Sequence, residues 1–281
     1  MQFKEWLIQE SKSENTIKTY LIHLNGYKKW FQESYNSEIN RLYRENILDY
    51  ISYMINVKKL NARSINAKLA ALLKYNEYLV EKGGEQDSIV ITKKDLIKIQ
   101  KEYISPSTLT KSEVESFRQK ILEKSSKRNY TIATLLAYSG VRITEALSIK
   151  LSDVNLKTME IIIRYGKGKK QRTVIINDKI RNAINEYIKE ERDKMKNSDK
   201  AYLFISQVGD HLDRTSINRI FNTYSDKITP HSLRHFFCSH ALENGWSMHE
   251  VALQAGHSNL NTTMMYSHPS LDNLKRKSNL L

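Results

Sequence analysis

The stretch MEIIIRYGKGKKQRTVIIN, residues 159–177, decides the fold class, because it interrupts a chain that otherwise reads as helix. Two short runs rich in β-branched residues flank a basic turn containing glycine, the pattern of a β-hairpin. Gly166 and Gly168 free the backbone there, while Lys167, Lys169 and Lys170 project from the tip. A G-x-G that does not open a helix is not a dinucleotide fingerprint.

Around the hairpin, the sequence alternates helical patterns with short breaks. TLTKSEVESFRQKIL carries a capping box, Thr110 with Glu113, and opens a second domain over residues 108–281. Ahead of it, GGEQDSIVITKKDLIKIQKEYISPS (83–107) has Gly, Ser and Pro with weak periodicity, and is expected to be a linker. Residues 1–82 read as wholly helical. Ile17, Tyr20, Leu21, Leu24, Tyr27 and Phe31 recur at steps of three and four, with Ser13 or Asn15 as the cap. RENILDYISYMINV and NARSINAKLAALLKYNEYLVEKGG follow, the last ending at Gly83–Gly84. The fold class is therefore mainly α with a small β-hairpin in the C-terminal domain: four or five short helices first, then a larger α+β domain.

Lys and Arg number 45 against 31 Asp and Glu, a formal charge of +14 over 281 residues. The excess is +4 over residues 1–82, zero over 83–107 and +10 over 108–281. A basic excess at both ends favours a polyanionic partner, most often nucleic acid. No apolar run approaches the ~20 residues that span a bilayer, and MQFKEWLIQE lacks the apolar core of a signal peptide. With Cys238 as the only cysteine, no internal disulfide can form. A cytoplasmic location is expected.

HSLRHFFCSH, residues 231–240, crowds three histidines, an arginine and that cysteine into ten residues. His231 and His235 sit four apart, as on a zinc-binding helix, but Ser232 stands where a metalloprotease carries its general-base Glu. A single cysteine also cannot assemble a Cys-rich site. No metal is expected. Thr229 fits an N-cap and Pro230 the first helical position, so His231 and Arg234 share the first turn. Such an end attracts anions, and an arginine adds two parallel donors suited to phosphate oxygens. Leu233, Phe236, Phe237 and Leu242 form the apolar opposite face, and Gly245 ends the helix. The arrangement recurs twice: Ser139–Gly140 breaks a helix before Arg142, and Gly256 ends one before His257, with Tyr266 beyond.

SGVRITEAL, HSLRH and GHSNLNTTMMYSH together resemble the signature boxes of tyrosine site-specific recombinases, the integrase and Xer group. The order Arg, Lys, His-x-x-Arg, His, Tyr is present in full, and His257 precedes Tyr266 by nine. TIKTYLIHLNGYKKWF and SINAKLAALLKYNEYLVEKG are similar to the family's helical core-binding (SAM-like) domain, so the resemblance spans nearly the whole chain. Among members, it is most like those that resolve transposon cointegrates or phage-type dimers. The core-binding helices begin almost at Met1, so no arm-binding module is expected ahead of them.

The resemblance implies a nucleophile at Tyr266, which spacing alone would not choose among sixteen tyrosines. Tyr165 and Tyr103 also have basic neighbours. Tyr266 would attack a phosphodiester to give a 3′-phosphotyrosine and a free 5′-hydroxyl. By the same resemblance, Arg142 and Arg234 clamp the non-bridging oxygens, Lys167 is the general acid, His231 accepts the tyrosine proton and His257 bonds a phosphate oxygen. Lys169 and Lys170 are the rivals of Lys167, and Glu145 is expected to orient a neighbour. The phosphotyrosine conserves the bond energy, so no ATP, metal or other cofactor is implied. The sequence has no Walker loop and no convergent carboxylate set.

Double-stranded DNA is the expected partner, held by a clamp of the two domains and acted on by a tetramer through a Holliday junction. Thr16, Lys18, Arg63, Ser64, Asn66, Lys68 and Lys74 lie on candidate DNA-facing helices of the first domain. Lys169 and Lys170 at the hairpin, and Thr215, Ser216, Asn218 and Arg219 in DRTSINRIFNTY, are candidates in the second. Arg219 is the candidate for a base contact. The alternatives are an integrase or excisionase of a mobile element, a type IB topoisomerase, or a DNA-binding protein without catalysis.

Overall fold

The structure is a computed structural model, and it describes residues 2–83, 86–98, 109–164, 171–206, 209, 211–257 and 263. The chain divides into two compact units, Met1–Glu102 and Tyr103–Leu281.

The first unit is helical: α1 (Phe3–Gln9), α2 (Glu14–Tyr35), α3 (Arg44–Ser52), running into a π-helical turn (Tyr53–Val57), and α4 (Ala62–Lys82). Of the two candidate caps for α2 the chain uses Ser13, whose hydroxyl accepts from the Thr16 amide at 3.3 Å. The predicted periodicity is the buried stripe, with Ile17, Leu24, Tyr27 and Phe31 facing Ile65, Leu69, Leu72 and Tyr75 of the core. Residues 86–98, within the segment expected as a linker, lie along this unit. Asn76, fully buried on α4, accepts the Val90 amide at 2.8 Å and the Ile91 amide at 3.2 Å. Asn66, lower on the same helix, exchanges two bonds with the Ile97 backbone at 2.8 and 2.9 Å. Two side-chain amides, the buried Asn76 and the partly buried Asn66, thus replace the β-ladder or helix that this polar stretch cannot make for itself.

The second unit contains α5 (Lys111–Lys124), α6 (Lys127–Ser139), α7 (Ile143–Leu147), β1 (Val154–Asn155), β2 (Glu160–Ile163), β3 (Arg172–Ile175), α8 (Asp178–Glu190), α9 (Arg214–Tyr224), α10 (Pro230–Glu243) and α11 (Met248–Ala255). The capping box at Thr110 and Glu113 is formed, with amide bonds of 2.7 and 3.2 Å. β2 and β3 pair antiparallel, Ile161 opposite Val174 and Ile163 opposite Arg172, as the hairpin pattern predicts. Sequence reading missed β1, a two-residue strand that adds to β2. The hairpin tip, with Lys167, Lys169 and Lys170, lies outside the described residues.

α6 organises this unit. Thr131 to Ala137 are buried all round the helix, which packs against α5, α8 and α10. Its threonines return their hydroxyls to carbonyls one turn back, Thr134 to Tyr130 at 2.8 Å, so a polar atom costs little inside the core. A helix fixed on three sides ends at a fixed point, and that end is where the site begins.

Candidate active site

α6 stops at Gly140, in the left-handed conformation with φ +67°. A Cβ there would sit 2.3 Å from the Phe237 ring, so only glycine permits both the reversal and the contact with α10. Arg142 follows as the N-cap of α7. Glu145, 2% exposed, reaches back one turn to accept the Arg142 amide at 2.9 Å and its Nη1 at 2.8 Å. Arg142 Nη2 donates to the Gly256 carbonyl at 3.1 Å, which joins this junction to the end of α11.

α10 begins as its sequence predicts. The Thr229 hydroxyl accepts the Ser232 amide at 3.1 Å and Pro230 fills the first turn. Leu233 and Phe236 enter the main core, Phe237 and Leu242 a smaller one against α11. Arg234 is drawn inward to 5% exposure, where its Nη1 donates to the Gly140 carbonyl. Its Nη2 is buried with no hydrogen-bond partner among the described residues. An unsatisfied buried guanidinium N–H is costly, and it marks a place that an oxyanion would complete.

The third junction is Gly256, again left-handed, at φ +68°. His257 lies just past it, its amide bonded to the Ala252 carbonyl at 2.9 Å and its Nδ1 2.8 Å from the hydroxyl of Thr263. Arg142 and Thr144 from α7, Arg214, Asn218 and Asn222 from α9, and His231 and Arg234 from α10 line one cleft of about 500 Å³. Four of the six residues implied as catalytic, Arg142, His231, Arg234 and His257, thus gather from three helix breaks. Tyr266 and Lys167 lie outside the described residues.

The electrostatics follow from this crowding. Burial, then Arg142, lowers the Arg234 pKa to about 10, which leaves it fully charged near neutrality. His231 is lowered by burial and by Arg234 and Arg142. Burial and the same arginines push His257 down to about 4, and burial with His231 does the same for His235. Neutral imidazoles in a positive cleft can accept protons; His231 and His235 already share one Nε2–Nε2 hydrogen bond of 2.7 Å. Burial lifts the Cys238 thiol to about 11, so it stays protonated and inert. Burial alone would raise Glu145, but Arg172 and the Arg142 amide outweigh it and hold the carboxyl below its usual range.

Three contributors escaped the sequence reading. Arg172 at the start of β3 pairs with both oxygens of Glu145, at 3.1 and 2.8 Å. Arg214 faces the cleft on α9, one turn before Asn218, and Gln254 ties α11 to β3 through two bonds with Ile175. The helical spacing of Arg214 and Asn218 was a readable signal; nothing local distinguishes Arg172 from a solvated strand residue.

The candidate DNA contacts divide. Lys18, Arg63, Thr215 and Arg219 are exposed, while Ser216 and Lys68 are partly so. Thr16 bonds the Ser13 hydroxyl at 2.8 Å and Ser64 closes the cap of α4 through its amide. Two candidates already have partners within the chain. Asn66 spends its amide on the Ile97 backbone, and Lys74 is paired with Glu77 and lies 3.7 Å from Glu10. Of the α9 set, Asn218 lines the cleft and Arg219 does not.

Comparison with known proteins agrees with the geometry. Residues 107–272 match the model of the phage integrase family, and residues 1–83 match that of the phage integrase N-terminal SAM-like domain. The TnP I resolvase of Bacillus thuringiensis is 52% identical over 280 residues, covering 100% of this chain and 98% of that protein. The tyrosine recombinase XerD of Oceanobacillus iheyensis is 28% identical, over 95% of this chain and 92% of its own length. Among solved structures, the site-specific recombinase XerH bound to its difH substrate in a pre-cleavage complex is similar with a TM-score of 0.68. It is 25% identical, over 93% of this chain and 78% of that one.

Proposed function

This chain belongs to the phage integrase family, as a site-specific recombinase that transfers DNA strands, and we propose that the cleft lined by Arg142, His231 and Arg234, with His257 following the Gly256 carbonyl that Arg142 bonds, is where it cuts and rejoins them. The observation that carries the reading is the convergence of Arg142, His231 and Arg234 on one cleft, with the His257 junction bonded to Arg142 through the Gly256 carbonyl and a buried Arg234 N–H lacking a partner among the described residues.

In this reading, Tyr266 attacks the scissile phosphorus. Ionising a free tyrosine at pH 7 costs about 4 kcal/mol, which the positive field of the arginines and proton transfer to His231 offset. The proton passes from the phenol to the imidazole, held neutral by burial and by Arg234 and Arg142. Arg142 and Arg234 hold the non-bridging oxygens and stabilise the charge that grows in the five-coordinate transition state. His257 donates to one of those oxygens. Lys167 protonates the departing 5′-oxygen, so a 3′-phosphotyrosine and a 5′-hydroxyl result. Attack by a 5′-hydroxyl from a partner strand reverses the step and returns the proton to the phenol.

The target is double-stranded DNA bearing paired sites, recombined by four copies through a Holliday junction, with the role of resolving a transposon cointegrate. The B. thuringiensis relative, called a resolvase, supports that role. Residues 1–82 and 108–281 act as core-binding and catalytic domains joined by 83–107, in the cytoplasm. Lys18, Lys68 and Arg63 in the first, and Thr215, Ser216, Asn218 and Arg219 with Lys169 and Lys170 in the second, contact the duplex, mostly at phosphates. Incubating the protein with a nicked suicide duplex from its own flanking DNA tests the chemistry. Covalent capture is expected from the native protein and not from Tyr266→Phe; capture that survives the substitution moves the nucleophile elsewhere.

A further inference from the structure

Arg172 follows the hairpin tip, where a strand arginine would ordinarily extend into water, yet its side chain is only 15% exposed. It makes four bonds: to both oxygens of Glu145 at 3.1 and 2.8 Å, to the Gln254 carbonyl at 3.1 Å and to the Ala255 carbonyl at 3.2 Å. With Arg142 on the Gly256 carbonyl, three successive carbonyls at the end of α11 each receive a guanidinium N–H. A helix C-terminus carries partial negative charge, so two cations there are favourable. The fit is close: a Cβ on Gly256 would stand 2.6 Å from the Arg172 guanidinium.

Arg172 is not among the residues that line the cleft, so its donors are not needed by a phosphate. Arg142 is 30% exposed and does line it. Both arginines compete for one carboxylate that is 2% exposed. While Arg172 occupies both Glu145 oxygens, Arg142 gives that carboxylate one side-chain N–H and keeps others for an anion. Without Arg172, a buried Glu145 would have Arg142 as its only side-chain cation among the described residues and would draw the guanidinium into a two-bond pair.

We infer that Arg172 is a positioning residue for strand cleavage, which shares Glu145 with Arg142 and fastens the end of α11, and with it His257, against that pair. The inference rests on the reaction proposed above. It concerns the orientation of the phosphate clamp and not contact with DNA.

The test uses two nicked suicide duplexes, one with the ordinary scissile phosphodiester and one with a methylphosphonate there, in which a methyl replaces a charged non-bridging oxygen. Misplacing a clamp by about 1 Å costs roughly 100-fold, and Arg172→Gln should slow covalent capture by that factor on the phosphodiester. Duplex affinity should stay within about threefold, and the loss should shrink below about tenfold on the uncharged methylphosphonate, where the clamp has less charge to stabilise. Capture by Arg172→Gln within about threefold of the native rate, or equal losses on the two duplexes, would overturn the inference alone. Absence of capture by the native protein on the phosphodiester would overturn the recombinase reading and this inference with it. If circular dichroism shows Arg172→Gln unfolded, Arg172→Lys decides by the same ratio, since one ammonium can meet Glu145 but cannot span both carbonyls.

Discussion

Replacing Arg234 by methionine separates what this side chain costs the fold from what it gives the reaction. Arg234 is 5% exposed, and burial followed by Arg142 lowers its pKa to about 10. An arginine ordinarily titrates near 12.5, so keeping this one charged costs the folded state about 3 kcal/mol. The sign is fixed by linkage. The folded pKa lies below the unfolded one, so the penalty is present in full below pH 10 and fades only as pH rises towards 12.5. Against it stands the bond to the Gly140 carbonyl, whose loss would leave a buried acceptor at a cost of about 1–3 kcal/mol. Methionine refills most of the volume with a flexible apolar chain. The free protein should therefore be unchanged or more stable by about 1 kcal/mol, where truncating an ordinary buried side chain would cost 2–5 kcal/mol. Urea unfolding at pH 7 reads the stability, and suicide-duplex capture should fall by at least about 100-fold in the same preparation. A loss of stability of about 2 kcal/mol or more would mean that Arg234 is a net structural support, and the reasoning would fail.

The remaining expectations can be checked with the same assays. His235 and His257, both held near pKa 4 against the usual 6.5, leave the folded state with fewer bound protons than the unfolded chain between those values. Stability should thus fall as pH drops from 7 to 5, by about 2–4 kcal/mol together, and His257→Asn should remove about half of that dependence; a flat urea midpoint across the range contradicts it. Gly140→Ala places a methyl in the Phe237 ring at positive φ and should cost about 2–4 kcal/mol, read as a lowered Tm; an unchanged Tm would show that α10 can retreat. Lys18→Ala and Arg63→Ala should each reduce the slope of log affinity for duplex against log salt by about one, while Lys74→Ala, already neutralised by Glu77, should leave it unchanged.

What the sequence made legible is what depends on neighbours along the chain. Thr229–Pro230, Thr110 with Glu113, Ser13 and the two left-handed glycines, 140 and 256, are all local signals, and each stands where its residue type requires. The hairpin was readable because β-branched runs and a glycine turn are adjacent. Arg172 was not readable, because its reasons for being buried, Glu145 and the carbonyls of α11, lie 27, 82 and 83 residues away. The partners of Asn66 and Lys74 within the chain were hard to read for a related cause. A polar residue on a helix looks the same whether it faces a duplex or a second segment of its own chain, and here Ile97 takes the amide of Asn66, and Glu10 lies 3.7 Å from Lys74 beside its helix neighbour Glu77. The segment 86–98 has little periodicity of its own, since its order comes from two asparagines of α4.

The neutral histidines give the cleft a property that its arginines alone would not. Arg142, Arg172 and Arg234 face one buried carboxylate, Glu145, so the neighbourhood holds more positive than negative charge. Burial first, and that surplus after it, lower the pKa of His231 and His257, and the same field favours phenolate over phenol. A phosphodiester entering the cleft brings the missing negative charge, which raises the imidazole pKa values back towards their usual range. In the proposed reaction, His231 therefore becomes a stronger proton acceptor only once the scissile phosphate is seated.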